Sequence, residues 1–268
     1  MDVFKSSQSV GEIVSIMPRA SEIFKQYKID FCCGGNRLLI DVIRENNLDK
    51  SEVLKKLNEA SKANEKIKKE GKDFREMSPD ELIEYIENTH HVYVKRALPE
   101  LGELTLKIMK VHGTNHEVLF KVHKLFSMLK AELEQHLIKE EESLFPLIKE
   151  YGRDPSAELL ARINKVNREL EDEHEGAGNI LKELRKITDD YKVPEDGCPT
   201  YFATFDKIKE LEADLFQHIH LENNILEFRL MDDLVPHLKS LYEDELQKKL
   251  NVELGWSPDG KSVFYVRS

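Results

Sequence analysis

The chain has 268 residues, of which 40% are apolar and 34% charged, and a formal net charge of −11. That balance allows a sizeable core under a well-solvated surface, and it argues against general nucleic-acid binding or anchoring to anionic membranes. Three cysteines, two of them adjacent, make no disulfide framework and suit a reducing compartment. The N-terminus has no basic stretch followed by an apolar run, and no segment approaches roughly 18 uninterrupted apolar residues, so neither a signal peptide nor a membrane span is expected and the expected location is cytoplasmic.

Residues 1–65 read as a small helical domain. Pro18 suits the first turn of a helix running to about Tyr27. IDFCCGGN follows, where two glycines end a helix or make a turn. The next helix is expected from about Asn36 to Glu45, and Asp49 or Ser51 caps another through Ala60. Residues 66–77 are polar and charged, and they read as a linker. Residues 78–231 then carry four long helical segments with short connections, the pattern of an up-down-up-down four-helix bundle. Helix A opens at Ser78-Pro79-Asp80-Glu81 and extends to about His112, with Pro99 expected to bend it. Helix B covers about 115–150, helix C about 155–191, and helix D about 200–231. The tail, 232–268, holds a turn sequence, Ser-Pro-Asp-Gly, followed by β-formers, so a short hairpin is expected there. The fold class is all-α.

The chemistry sits on the apolar stripes of the bundle helices. On helix B the stripe runs Leu125, Leu129, Leu133, His136, Glu140, Leu144, and on helix D it runs Ile208, Leu211, Leu215, His218, Glu222, Ile225. Steps of three and four put these polar groups where core leucines would point. His174 falls on the helix C stripe with Leu170, Ala177 and Leu181. Helix A offers His90 and His91, and periodicity does not choose between them. A single core histidine is usually a hydrogen-bonded structural residue. Four of them, two with a glutamate one turn on, are better explained by metal, because a bare carboxylate is costly to bury. Four imidazoles and two carboxylates exceed the needs of one four-coordinate zinc and suit two irons bridged by carboxylates. The remaining candidates earn less. His220 lies off the helix D stripe and is expected in solvent. Glu141 and Glu142 are expected on the solvated face of helix B. His116 and His123 lack a carboxylate on their own face, His237 lies in the tail, and His112 ends helix A as a peripheral residue or an outer partner of the ligands. Cys198 has no role assigned by its sequence context.

These pieces resemble the iron–sulfur cluster repair di-iron proteins, the repair of iron centres family, whose bundle is hemerythrin-like. The matching stretches are IMPRASEIFKQYKIDFCCGG, LPEL at 98–101, QHLIKEEESLFP, EDEHEGAG and HIHLENNIL, spanning about residues 10–230. The resemblance selects His91 over His90 and implies a metal set of His91, His136, Glu140, His174, His218 and Glu222. It makes Glu140 and Glu222 the bridging carboxylates, with His91 and His136 on one iron and His174 and His218 on the other. Two departures stand out: LEFRLMDD replaces the usual Leu-Phe-Pro exit after helix D, and the tail beyond about residue 231 lies outside the resemblance. Oxygen-carrying relatives also use more histidines, and position 178, one turn after His174, is a glycine where another imidazole could sit.

The resemblance implies a protein that repairs iron–sulfur clusters damaged by oxidative or nitrosative stress, by supplying iron. Its partners would be damaged or apo iron–sulfur proteins, with no nucleic acid and no membrane, and a homodimer is one arrangement it allows. The alternatives are a di-iron nitric oxide reductase or oxidase, and an oxygen- or nitric-oxide-sensing module. No G-x-G-x-x-G or Walker A motif is present for an electron-donor cofactor, which favours a metal donor over a turnover enzyme. Cys32 and Cys33 are assigned to thiol chemistry in transfer, since a helix opening at Asn36 would stabilise a nearby thiolate.

Overall fold

The computed structural model describes residues 4–32, 34–64, 74–226, 253–256 and 263–266. Its contacts divide the chain into two units, Met1–Leu226 and Glu227–Ser268.

The first unit begins with four short helices: α1 (Val10–Ile16), α2 (Ala20–Gln26), α3 (Leu39–Glu45) and α4 (Lys50–Asn64). Helix α1 was not foreseen. It has only seven residues, with a glycine and four β-branched positions, a composition of weak helix propensity. Tertiary burial overrides that weakness: Val10, Ile13 and Val14 are fully buried against Phe24, Leu39, Val53 and Leu57. Ser9 caps the helix by accepting from the Glu12 amide. Pro18 precedes helix α2 rather than opening it, and α3 starts at Leu39, three residues later than expected. Of the two caps proposed for α4, Asp49 is the one used, accepting from the Glu52 amide at 2.9 Å.

The bundle follows. Helix A starts with a capping box between Ser78 and Glu81, with Pro79 at its first position. It runs through Pro79–Ile86, a π-helical turn at Glu87–His91, and Val92–His112. Helix B comprises Val118–Lys139, a π-turn at Glu140–Leu144, and Phe145–Arg153. Helix C is one continuous α-helix, Ala157–Ile187, capped by Ser156. Helix D comprises Pro199–Leu221 and a π-turn at Glu222–Leu226. The irregularity expected at Pro99 therefore falls two turns earlier, at Glu87–His91, and the α-helix is continuous through the proline. Leucines and phenylalanines of all four helices, among them Leu98, Phe126, Leu181 and Phe205, form one core.

The small helical region docks on helices C and D. Asp30 pairs with Lys182 at 3.1 Å and Lys28 with Asp190 at 3.2 Å. Phe31 sets its ring edge-on to Phe216 and His220. Asn224 Nδ2 donates to the carbonyl oxygen of Cys32 at 3.1 Å. Gly11 and Gly35 flank this carboxamide so closely that a Cβ at either would collide with it, which is why both positions need glycine.

In the second unit, β1 (Glu253–Trp256) and β2 (Val263–Val266) pair antiparallel, with Glu253 opposite Val266 and Trp256 opposite Val263. The Ser-Pro-Asp-Gly turn between them lies outside the described residues, as do most of the 66–77 linker, the rest of the tail with His237, and Cys33.

Candidate metal centre

Three π-turns interrupt the bundle, and each carries a candidate ligand: His91 ends the one in helix A, Glu140 begins the one in helix B, and Glu222 begins the one in helix D. Such turns widen the helix by one residue and recur at functional sites. They bring His91, His136, Glu140, His174, His218 and Glu222 together in the core, all buried, Glu140 with 1% of its surface exposed.

The two carboxylates lie between two pairs of imidazoles. Glu140 Oε1 is 3.0 Å from His136 Nε2 and 3.9 Å from His174 Nε2. Its Oε2 is 3.3 Å from His91 Nε2 and 3.9 Å from His218 Nε2. Glu222 presents Oε1 to His218 Nε2 at 2.9 Å and Oε2 to His174 Nε2 at 3.3 Å. Each glutamate thus offers one oxygen to each pair. Two four-donor groups result, His91–Glu140–His218–Glu222 and His136–Glu140–His174–Glu222, with the donor atoms of each within 4.8 Å of one another.

The resemblance paired His91 with His136 and His174 with His218. The rings meet instead as His91 with His218, 3.2 Å between Nε2 atoms, and His136 with His174, 2.9 Å. The reason lies in the packing: the π-turn of helix A lies against helix D, and that of helix B against helix C.

The electrostatics fit a cation. Both Glu140 oxygens and Glu222 Oε2 are buried without a hydrogen-bond donor, a costly state unless a metal or a charge compensates it. Burial opposes ionisation of Glu140, yet His136 and its other imidazole neighbours hold its pKa well below the usual carboxylate range. Burial and the charge of Glu140 push Glu222 up, but His218 and His174 win and lower it. Burial likewise opposes a charge on His136, and Glu140 overrides it, raising the pKa to about 9. His91 is raised against its burial by Glu140 and Glu222. A site that holds its carboxylates ionised and draws protons onto its imidazoles attracts positive charge, and two carboxylate-bridged iron ions are compatible with this donor set.

Residues 81–227 match the hemerythrin HHE cation binding domain, and residues 6–61 match a family described as a domain of unknown function, ScdA_N. A probable iron-sulfur cluster repair protein of Haemophilus influenzae is 34% identical over 228 residues, covering 85% of this chain and 98% of the relative. The iron-sulfur cluster repair protein YtfE of Enterobacter sp. (strain 638) is 35% identical over 219 residues, 82% of this chain and 94% of the relative. The corresponding ScdA protein of Staphylococcus haemolyticus is 28% identical over 217 residues, 81% and 95% of the two chains.

The chain belongs to the iron–sulfur cluster repair protein family.

Around the inner residues, this family member has an outer layer that periodicity did not reveal. His91 Nδ1 donates to Glu141 Oε1 at 2.7 Å, and Glu141 also pairs with Lys95. Glu141 was expected to face solvent. The π-turn beginning at Glu140 breaks the 3.6-residue period, so two consecutive glutamates serve the same site. His136 Nδ1 donates to Glu173 Oε2 at 2.8 Å, and His174 Nδ1 to Asn223 Oδ1 at 3.1 Å. His90 is buried as well, but it turns to Asp214 at 2.9 Å and stacks on His218. His220, expected in solvent, is 1% exposed, and burial pushes its pKa down to about 4. Its cover is Phe31 from the small helical region, which a periodicity count within the bundle does not register. His116 pairs with Asp196 and His123 with Thr105. Cys32 is buried, and its thiol donates to Asp30 Oδ1 at 3.2 Å. Among the described residues, no helix is long and apolar enough to cross a membrane.

Proposed function

We propose that this protein repairs iron–sulfur clusters damaged by oxidative or nitrosative stress, and does so by supplying iron from a di-iron centre. His91, His136, His174 and His218 would ligate the irons, and Glu140 and Glu222 would be shared between them. The observation that carries this reading is the pair of buried carboxylates, each facing both imidazole pairs and three of their four oxygens without a donor. Six protein ligands for two metals leave coordination positions open, which suits a centre that gives iron up. The names of the relatives support the repair role. The acceptors are cytoplasmic proteins with a lost or damaged cluster.

Cys32 and Cys33 act in transfer, outside the iron-holding set. The support is the Asn224 hydrogen bond, which ties the Cys32 backbone to the turn that carries Glu222. The Cys32 thiol is buried and bonded to Asp30. Helix α3 starts at Leu39, three residues beyond the Asn36 start on which the expected thiolate stabilisation was based.

The deciding experiment is anaerobic incubation of iron-loaded protein with an apo iron–sulfur protein and inorganic sulfide, a chelator competing. Cluster reconstitution despite the chelator is expected; full capture of the iron by the chelator, with no reconstitution, sinks the proposal. A Cys32→Ser, Cys33→Ser double variant should keep its irons and lose the transfer.

A further inference from the structure

We infer that the two halves of the centre hold iron unequally and that the iron supplied for repair is the one bound by His91 and His218, an inference that rests on the iron-supply reading above. The argument concerns where each imidazole keeps its proton. A ligating ring nitrogen gives its lone pair to the metal, so the remaining proton of a neutral imidazole sits on the other nitrogen. All four rings turn Nε2 inward. In the loaded state the proton therefore belongs on Nδ1.

Three of the four rings have an acceptor waiting there. Glu141 takes it from His91, Glu173 from His136 and Asn223 from His174. His218 has none: its Nδ1 is buried and finds no partner among the described residues. Asp214, one turn earlier on helix D, gives its Oδ1 to His90 instead. Without metal, His218 keeps its proton on Nε2, where Glu222 Oε1 accepts it at 2.9 Å. Loading this ring exchanges a satisfied N–H for a buried, unsatisfied one. The other three rings keep the Nδ1–H bond they already make.

The stacking of His90 on His218, ring centres 5.6 Å apart and planes 5° apart, holds the ring in place. The asymmetry thus lies in ligand basicity and proton satisfaction, not in position. The His136–His174 half has both imidazoles anchored from behind, one by a carboxylate that also pairs with Lys139. The His91–His218 half has one anchor. Loss of such an outer partner typically weakens metal binding by about 10- to 100-fold, so the His91–His218 iron leaves first.

Release of iron from the reduced, iron-loaded full chain to an excess of a ferrous chelator tests this. Wild type should show two phases of equal amplitude, with rates separated by about 10- to 100-fold. Glu141→Gln, which loosens His91, should speed the fast phase and leave the slow one. Glu173→Gln, which loosens His136, should speed the slow phase until the two approach each other. Both glutamates are partly exposed, and glutamine keeps their size, so the fold should survive. An apo iron–sulfur acceptor in place of the chelator should take up iron within the fast phase alone. A single wild-type phase releasing both irons together overturns the inference, as does Glu173→Gln acting on the fast phase. If the two phases appear as expected but the acceptor takes no iron, the asymmetry stands and the iron-supply reading fails.

Discussion

The bundle gathers histidines at two places along its length, and only one of them is built for a metal. In the core, six histidine and glutamate side chains converge through three π-turns, and carboxylate oxygens are left without donors. Where helix A ends and helix D begins, His112, His116, Asp196, Cys198 and Tyr201 also cluster, with the His112 and His116 ring centres 6.4 Å apart. There most of the groups pair with one another: Asp196 takes His116 at 2.9 Å and Cys198 is hydrogen-bonded by His112, while His112 Nε2 finds no partner among the described residues. Among the described residues, no third histidine, cysteine and acid group brings its donor atoms within 4.8 Å of one another. Ligand-type residues make a metal site when they converge and lack other partners, not when they are merely abundant.

The strongest way to break this contrast is to remove a shared carboxylate. Glu140→Ala or Glu222→Ala should lower iron affinity by more than about 100-fold, beyond the effect of losing an outer partner. Metal analysis of protein grown with both iron and zinc available should find iron lost in these variants and retained in Glu142→Ala and His116→Ala. Equal retention in all four contradicts the assignment. His91→Ala should empty the site more completely than His90→Ala, because His90 turns its Nδ1 to Asp214. Glu141→Ala should fall between these extremes, with a loss of about tenfold.

A smaller effect separates the metal-free core from the loaded one. The pKa of His136 is raised from 6.5 to about 9, so its charged form is favoured by folding. The sign is that of a raised histidine: its stabilisation is complete below pH 6.5 and is lost as pH rises through about 9. One pKa unit is worth about 1.4 kcal/mol, which puts the whole effect at about 3 kcal/mol. Metal-free protein should therefore lose thermal stability between pH 6.5 and 9. On the acid side, Glu140 and Glu222 are depressed, so their contribution is present above 4.5 and lost as pH falls below it. Thermal melts across this range check both limbs. A metal-free melting temperature that is flat or rising from pH 6.5 to 9 would mean that the imidazoles are not charged by the glutamates.

The smallest effect belongs to the second cluster. The hydrogen bond from His112, with backbone amides at the start of helix D, lowers the Cys198 thiol from 9.0 to about 7. His112→Ala should slow its alkylation at pH 7 by about tenfold, as the thiolate fraction falls. Iron content should not change. If iron falls with it, the two clusters are coupled and the contrast between them fails.

Much of the core site was legible from residue spacing. His136 with Glu140 and His218 with Glu222 interrupt apolar stripes at helical steps, and His174 falls on the helix C stripe; all five are buried where the stripes put them. What spacing misread, it misread for two identifiable reasons. Glu141, which it misread, and the His90–His91 choice, which it left open, sit in π-turns, where a 3.6-residue period no longer describes which side chains share a face. His220 lies off the helix D stripe and is covered by a region far away in sequence, through Phe31.

The sequence by itself determined that the chain would be helical, that a small helical region would precede a four-helix bundle, and that His136, Glu140, His174, His218 and Glu222 would enter the bundle core. Those outcomes follow from local periodicity, caps and the high cost of burying a lone carboxylate, all of which act within a few turns of chain. Only the tertiary structure decided which imidazoles meet, His91 with His218 and His136 with His174, and which of them have an acceptor behind them. Pairing depends on which helices lie side by side and at what height. That is set by the summed packing of side chains distant in sequence, such as Leu98, Phe126, Leu181 and Phe205, and no local pattern encodes it.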